Sequence, residues 1–199
     1  LTAVFGTAVL LGQDELEVLR IISTLNSVSG RFETIQAPAG FTASVDYAHT
    51  PDALKNVMST INEILQGKGN LITLVGCGGN RDPLKRPLMA QAAESGADCI
   101  VLTSDNPRNE APQTIMAQIA AGFSAGANVH SEPDRSRAIG YAIAQAAAAD
   151  IVLVAGKGHE DYQEICGVRH PFSDQQHVRL ALQARTDGAG CTAKKEPQP

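Results

Sequence analysis

Apolar residues along this chain gather in short runs, and between the runs they recur at helical spacing. Thr42–Tyr47, Leu71–Val75, Cys99–Thr103 and Ile151–Ala155 read as strands, with a shorter one at Val129. Ile151–Ala155 is apolar throughout, the pattern of a parallel strand covered on both faces. The intervening segments predict helices. Thr50 as N-cap and Pro51 at the first helical position open one that runs to about Gln66. Others are expected over Arg86–Ser95, Ala111–Phe123 and Asp134–Ala148. A capping box, Ser173-Asp174-Gln175-Gln176, starts a final helix ending near Ala184. Residues 162–172 suit a hairpin. Strand and helix alternate, which predicts an α/β fold: a Rossmann-like doubly wound, mostly parallel sheet with helices on both faces.

The first forty residues follow a different pattern. Leu16, Leu19, Ile22 and Leu25 mark a helix across Gln13–Leu25 with acidic residues in its first turn. Ser29–Glu33 and then Pro38-Ala39-Gly40 read as a connection, so a domain boundary is expected near residues 28–40. The organisation this predicts is residues 1–35 as the end of a preceding domain with its linker, 36–185 as one domain, and 186–199 as a polar, proline-tipped disordered tail.

Composition narrows the field. The chain has 199 residues, enough for one good core, with 43% hydrophobic and 4% aromatic residues. A formal net charge of −5 argues against a nucleic-acid surface, which needs excess Lys and Arg. No apolar stretch has the length of a membrane span. The four cysteines, Cys77, Cys99, Cys166 and Cys191, form no CxxC pair, so metal and redox roles are not expected and a reducing, cytoplasmic location is. The opening Leu-Thr-Ala-Val, without methionine, suggests a fragment of a longer protein.

Candidate chemistry lies directly after the predicted strands. Asp46–Pro51, Gly76–Asp82, Asp105–Arg108 and Gly156–Asp161 are polar or glycine-rich turns. If the strands are parallel, all four meet at one sheet edge, where open α/β folds bind ligands. Each has a plain structural reading as well. Gly76, Gly78 and Gly79 do not match GxGxxG, and Gly156-Lys157-Gly158 lacks the GxxxxGK[ST] spacing. His49 and His159 suit packing or capping, Asp105 suits a turn before Pro107, and Lys85 and Arg86 suit a solvated helix start. The sharper reading is an arginine beyond an Asn-Pro turn, a planar guanidinium suited to gripping a carboxylate or phosphate through two hydrogen bonds.

Taken together, Ser29–Glu33, Val45–Leu54, Gly76–Asp82 with Lys85-Arg86-Pro87, Asp105-Asn106-Pro107-Arg108 and Gly156–Tyr162 resemble the Mur ligase family over nearly the whole chain. The resemblance implies an ATP-dependent amide ligase of peptidoglycan precursor synthesis. ATP with Mg2+ phosphorylates a carboxylate, and an amino-acid amine attacks the acyl phosphate. In that family Asp-Asn-Pro-Arg marks members that add meso-diaminopimelate to a UDP-N-acetylmuramoyl-dipeptide. Carried over, Arg108 backed by Arg81 would bind the distal carboxylate, which lysine lacks. Glu160, Asn106 and the carbonyl of Gly156 would take the distal ammonium, with Asp105 and Pro107 completing the motif. Arg31, Asp46 and His49 match positions near the nucleotide, Asp46 toward the ribose. The catalytic residues and any metal ligands are not assigned.

No phosphate loop occurs here, and no UDP-sugar domain fits upstream of Gly30. Residues 1–35 would be the end of the central ATPase domain, and the chain alone is not expected to turn over. Another ligase of the superfamily, such as a folylpolyglutamate or alanyl-dipeptide ligase, and a stand-alone amino-acid-binding module are the rival readings.

Overall fold

The structure is a computed structural model and describes residues 2–23 and 29–191, the last four by their backbone. Two helices come first, α1 (Thr2–Leu10) and α2 (Glu15–Ser23). Then follow β1 (Glu33–Gln36), β2 (Thr42–Asp46), α3 (Pro51–Leu65), β3 (Leu71–Val75), α4 (Lys85–Glu94), β4 (Cys99–Leu102) and α5 (Pro112–Ala120). The rest is β5 (Val129–Ser131), α6 (Arg135–Gln145), β6 (Ile151–Ala155), the hairpin β7 (Tyr162–Ile165) and β8 (Val168–Pro171), and α7 (Asp174–Cys191).

The main sheet has the order β1-β2-β6-β3-β4-β5; β2 to β5 are parallel through β6, and β1 runs antiparallel on the β2 edge. Every residue of β3 and β6 is buried, because helices cover both faces. The period of two divides them cleanly. Ile72, Leu74, Val152 and Val154 pack toward α6 and α7, while Leu71, Val75, Leu153 and Ala155 pack toward α3 and α4. The doubly wound expectation is therefore met.

Local chemistry explains the boundaries. Thr50 Oγ1 accepts from Ala53 N at 3.2 Å, Pro51 occupies the first turn, and Gln66 in the left-handed region (φ 49°) ends α3. Helix α6 stops at Gln145, short of the expected Ala148, because Asp150 captures the backbone there. Its Oδ2 accepts from Ala147 N at 2.7 Å and its Oδ1 from Asn70 N at 2.8 Å. Such side-chain bonds compete with helix propagation.

Three expectations need revision. Glu33–Gln36, read as part of the connection, is a sheet strand paired from Glu33↔Val45 to Gln36↔Thr42. Its only apolar residue is Ile35, too little pattern to announce a strand. Helix α1 was not expected; it packs on α2 and buries none of its own residues. The last helix continues past Ala184 to Cys191, where a tail was expected from residue 186. Arg185 holds it, donating to the carbonyls of Ile143 and, at 2.7 Å, Ala146, with its guanidinium 4.9 Å from the Phe41 ring centre. Residues 192–199 of that tail, and Leu25 of the helix expected over Gln13–Leu25, lie outside the described residues.

Candidate functional site

The carboxyl ends of β2, β6, β3 and β4 point the same way, and the loops leaving them line a single cavity of about 310 Å³. The chain runs outward from β2 through β3 and β4 to β5, then returns to insert β6 between β2 and β3. A crevice opens beside such a reversal, where loops depart to opposite faces. Arg81, Lys85 and Arg108 supply three cations to the wall; Asp82, Asp105 and Glu160 supply three carboxylates. Tyr47, His49, Gly78 and Gly156 complete much of the remainder.

Arg108 is the most constrained of the cations. Its backbone is left-handed (φ 52°), a conformation that costs a non-glycine residue energy unless its surroundings impose it. The hairpin imposes it. Arg108 N donates to Glu164 O at 2.9 Å and Cys166 N donates to Arg108 O at 2.7 Å, so the loop residue pairs with β7. Its side chain donates from Nη1 to Gly79 O at 2.9 Å and sets Nε 3.4 Å from Glu164 Oε2. Gly79 must be glycine here, since an added Cβ would overlap the Pro107 carbonyl. Arg81, by contrast, is exposed on the cavity wall with no hydrogen bond or ion pair among the described residues.

Asn106 is buried, and both ends of its amide are engaged. Its Nδ2 donates to Glu160 Oε2 at 2.8 Å; its Oδ1 accepts from Glu164 N at 2.9 Å and from Lys157 Nζ at 2.8 Å. Lys157 is the residue that sequence reasoning passed over. Completely buried, its ammonium also lies 3.2 Å from Asp105 Oδ1 and 3.4 Å from Glu160 Oε2. Asp105, Asn106 and Glu160 thus already hold one cation of the chain itself. Glu160 Oε1 takes no hydrogen bond among the described residues, and Glu160 lines the cavity. Pro107 is not on the cavity wall; its carbonyl accepts from Glu110 N at 3.0 Å and shapes the turn. Gly156 is on the wall, with φ 114° and its N–H donated to Asp46 O at 3.0 Å.

The candidates for a nucleotide side divide. Arg31 stacks its guanidinium 4.8 Å from the Tyr47 ring centre, and Tyr47 meets the rings of His49 at 4.6 Å and His159 at 5.2 Å. Arg31, His49 and His159 are exposed. His49 Nδ1 lies 2.8 Å from Tyr47 O, and a carbonyl oxygen only accepts, so the proton is on Nδ1. Asp46, expected toward the ribose, uses both of its carboxylate oxygens in backbone hydrogen bonds. Its oxygens accept from Phe32 N and Ala48 N, each at 2.8 Å, which fastens the Arg31 segment to the His49 loop. Gly30 packs so closely on this junction that a Cβ would overlap the amide of His159.

Arg86 is not part of a solvated helix start. It is 2% exposed and grips Glu110 with two hydrogen bonds of 2.9 Å, and it donates to Gln118. Glu110 also accepts from Asn80 N, so this pair ties the glycine loop to the segment after Arg108. The Arg86 hydrogen bond, then the Asn80 amide, hold the Glu110 carboxyl below its ordinary range. Burial, then the charge of Asp105, pushes the Cys77 thiol on the cavity wall up to about 12.

Comparison with known proteins bears on this geometry. Over 184 residues the chain is 56% identical to a UDP-N-acetylmuramoyl-L-alanyl-D-glutamate--2,6-diaminopimelate ligase of Parabacteroides distasonis, covering 90% of this chain and 37% of that protein. It is 54% identical over 181 residues to the enzyme of that name from Phocaeicola vulgatus, again 90% of this chain and 37% of the relative. A solved structure of a ligase of that name superimposes with a TM-score of 0.74 at 44% identity, over 92% of this chain and 37% of that one. The chain therefore spans little more than a third of the length of the relatives it matches. The family model for the Mur ligase, glutamate ligase domain, matches residues 30–158, from the closely packed Gly30 to Gly158 beside Lys157, and the chain belongs to the Mur ligase family.

Proposed function

We propose that this chain is the amino-acid-binding part of an ATP-dependent ligase that adds meso-2,6-diaminopimelate to UDP-N-acetylmuramoyl-L-alanyl-D-glutamate. The observation that carries the reading is the gathering of Arg81, Arg108 and Glu160 on one cavity wall. Diaminopimelate ends in a carboxylate and an ammonium on one carbon. Arg108 and Arg81 suit the carboxylate, and Glu160 Oε1 with the Gly156 carbonyl suits the ammonium. Lysine would leave Arg81, and the Arg108 donors that Gly79 O and Glu164 do not take, without a partner, and a site built to pair a polar group rejects ligands lacking it by roughly 10⁴-fold.

ATP would supply the phosphorylation that activates the dipeptide carboxylate. Arg31, the half-buried Tyr47 and the exposed His49 and His159 would offer a cation and rings toward the nucleotide, with Asp46 toward the ribose and holding their two segments together. Among the described residues no group of three or more His, Cys, Asp or Glu side chains is arranged to hold a metal ion. Mg2+ would then reach this chain with the nucleotide's phosphates. No helix among the described residues is long and apolar enough to cross a membrane, in keeping with a cytoplasmic ligase.

Calorimetric titration of the 199-residue chain with meso-diaminopimelate and with L-lysine tests the reading. Binding of the first without measurable binding of the second is expected; equal affinities would remove it.

A further inference from the structure

Lys157 does not line the cavity, yet the three side chains that its ammonium bonds, Asp105, Asn106 and Glu160, all do. Gly156 (φ 114°) and Gly158 (φ 52°) flank it in conformations that L side chains rarely adopt, and together they send the lysine inward. At Gly158 an added Cβ would come within 2.6 Å of Tyr47 Cβ and 2.7 Å of Gly30 O, so the coil is enforced by packing. The buried ammonium then meets Asn106 Oδ1 at 2.8 Å, Asp105 Oδ1 at 3.2 Å and Glu160 Oε2 at 3.4 Å.

This arrangement does two things at once. It holds Glu160 by one oxygen: Oε2 takes both the lysine and Asn106 Nδ2, which leaves Oε1 as the oxygen available to the cavity. It also sets the charge. Asp105 and Glu160 carry two negative charges beside a buried amide, and Lys157 cancels one. What remains attracts one ammonium, not two small cations. Removing the lysine would leave two carboxylates in a poorly hydrated place, where uncompensated charge is costly.

We propose that Lys157 is a positioning residue for the ammonium of the amino-acid substrate, acting through Glu160 and touching no ligand itself. This rests on the reading of the cavity as an amino-acid socket and adds a residue that fixes its ammonium half.

The test is calorimetry on the 199-residue chain and its variants with two probes. One is meso-diaminopimelate; the other is L-2-aminopimelate, which keeps both carboxylates and lacks one ammonium. Lys157→Met is expected to raise the Kd for diaminopimelate about 30-fold or more, as loss of a charged partner does. It should change that for aminopimelate no more than about twofold, since a ligand without the ammonium gains nothing from Glu160. A merely structural lysine would weaken both ligands alike, and that result overturns the proposal. In the doubly changed Lys157→Met, Glu160→Gln chain, which loses one charge of each sign, diaminopimelate should bind within about threefold of Glu160→Gln alone. Additive losses overturn the role. Should Lys157→Met not fold by circular dichroism, this double variant decides alone. If the unaltered chain binds neither probe, the socket reading fails and this role with it. If the unaltered chain binds and Lys157→Met binds equally well, only the lysine's role falls.

Discussion

The guanidinium of Arg135 and the carboxylate of Asp174 meet through two parallel hydrogen bonds of 2.8 Å, Nε to Oδ1 and Nη2 to Oδ2, with neither side chain exposed. Two further donors of Arg135 reach Ser104 O at 3.3 Å and Ala155 O at 2.9 Å. One side chain therefore binds the start of α6 to the start of α7 and to the ends of β4 and β6, beneath the cavity. The pair gives the loops above it a fixed base.

Breaking that pair should be expensive. Asp174→Asn leaves a buried guanidinium without its counter-charge, a change that typically costs about 3–5 kcal/mol. Replacing both partners, Arg135→Met with Asp174→Leu, should cost less than the single change, because no charge is then stranded. Urea unfolding of the three chains checks the order.

A second anchor predicts acid sensitivity. Burial tends to raise the Glu33 carboxyl, but the Gly30 amide, Gln175, Ser29 and the Arg179 guanidinium together hold it below its ordinary value. A carboxyl depressed on folding contributes stability that is present above its unfolded value and is lost as pH falls through its folded one. The difference in Tm between the unaltered chain and Glu33→Gln should be largest at neutral pH and shrink below about pH 4. A constant difference from neutral to acid would contradict it.

Two glycines make opposite predictions. At Gly79 a Cβ overlaps the Pro107 carbonyl, so Gly79→Ala should cost about 1–3 kcal/mol and displace Arg108 from its carbonyl partner. At Gly140, inside α6, a Cβ meets nothing within 4 Å. Gly140→Ala should stabilise by about 0.5–1 kcal/mol through helix propensity and a less mobile unfolded chain. Thermal unfolding reads both.

Sheet, helix order and the convergence of four loops were legible because they rest on periodicity and on strand-end position. Arg81, Arg108 and Glu160 could be placed at one edge from those rules alone. Lys157 could not. Its neighbours Gly156 and Gly158 suggested a failed phosphate loop, whereas burial of the lysine depends on Asp105 and Asn106, about fifty positions earlier. Arg86 was misread for a similar reason, since its partner Glu110 lies on another segment. Strand β1 escaped because four residues with one apolar side chain carry no pattern, and only pairing with β2 makes them a strand. What sequence concealed was long-range pairing of charge and edge strands.

Arg108 allows function to be separated from stability. Its left-handed backbone is imposed by hydrogen bonds to Glu164 and Cys166, which involve only main-chain atoms of Arg108. Glycine accepts that conformation without the penalty of about 1 kcal/mol or more borne by other residues. Arg108→Gly should therefore keep the pairing with β7 and unfold within about 1 kcal/mol of the unaltered chain, the lost strain offsetting the lost side-chain contacts. Under the proposed function, binding of meso-diaminopimelate should still fall by about 100-fold or more, because the socket would lose its two-pronged partner for the distal carboxylate. Arg108→Lys keeps the charge without the fork and should recover only part of the affinity. Calorimetry beside urea unfolding makes the comparison, and parallel losses of binding and stability in Arg108→Gly would mean that the arginine serves the fold instead of the ligand.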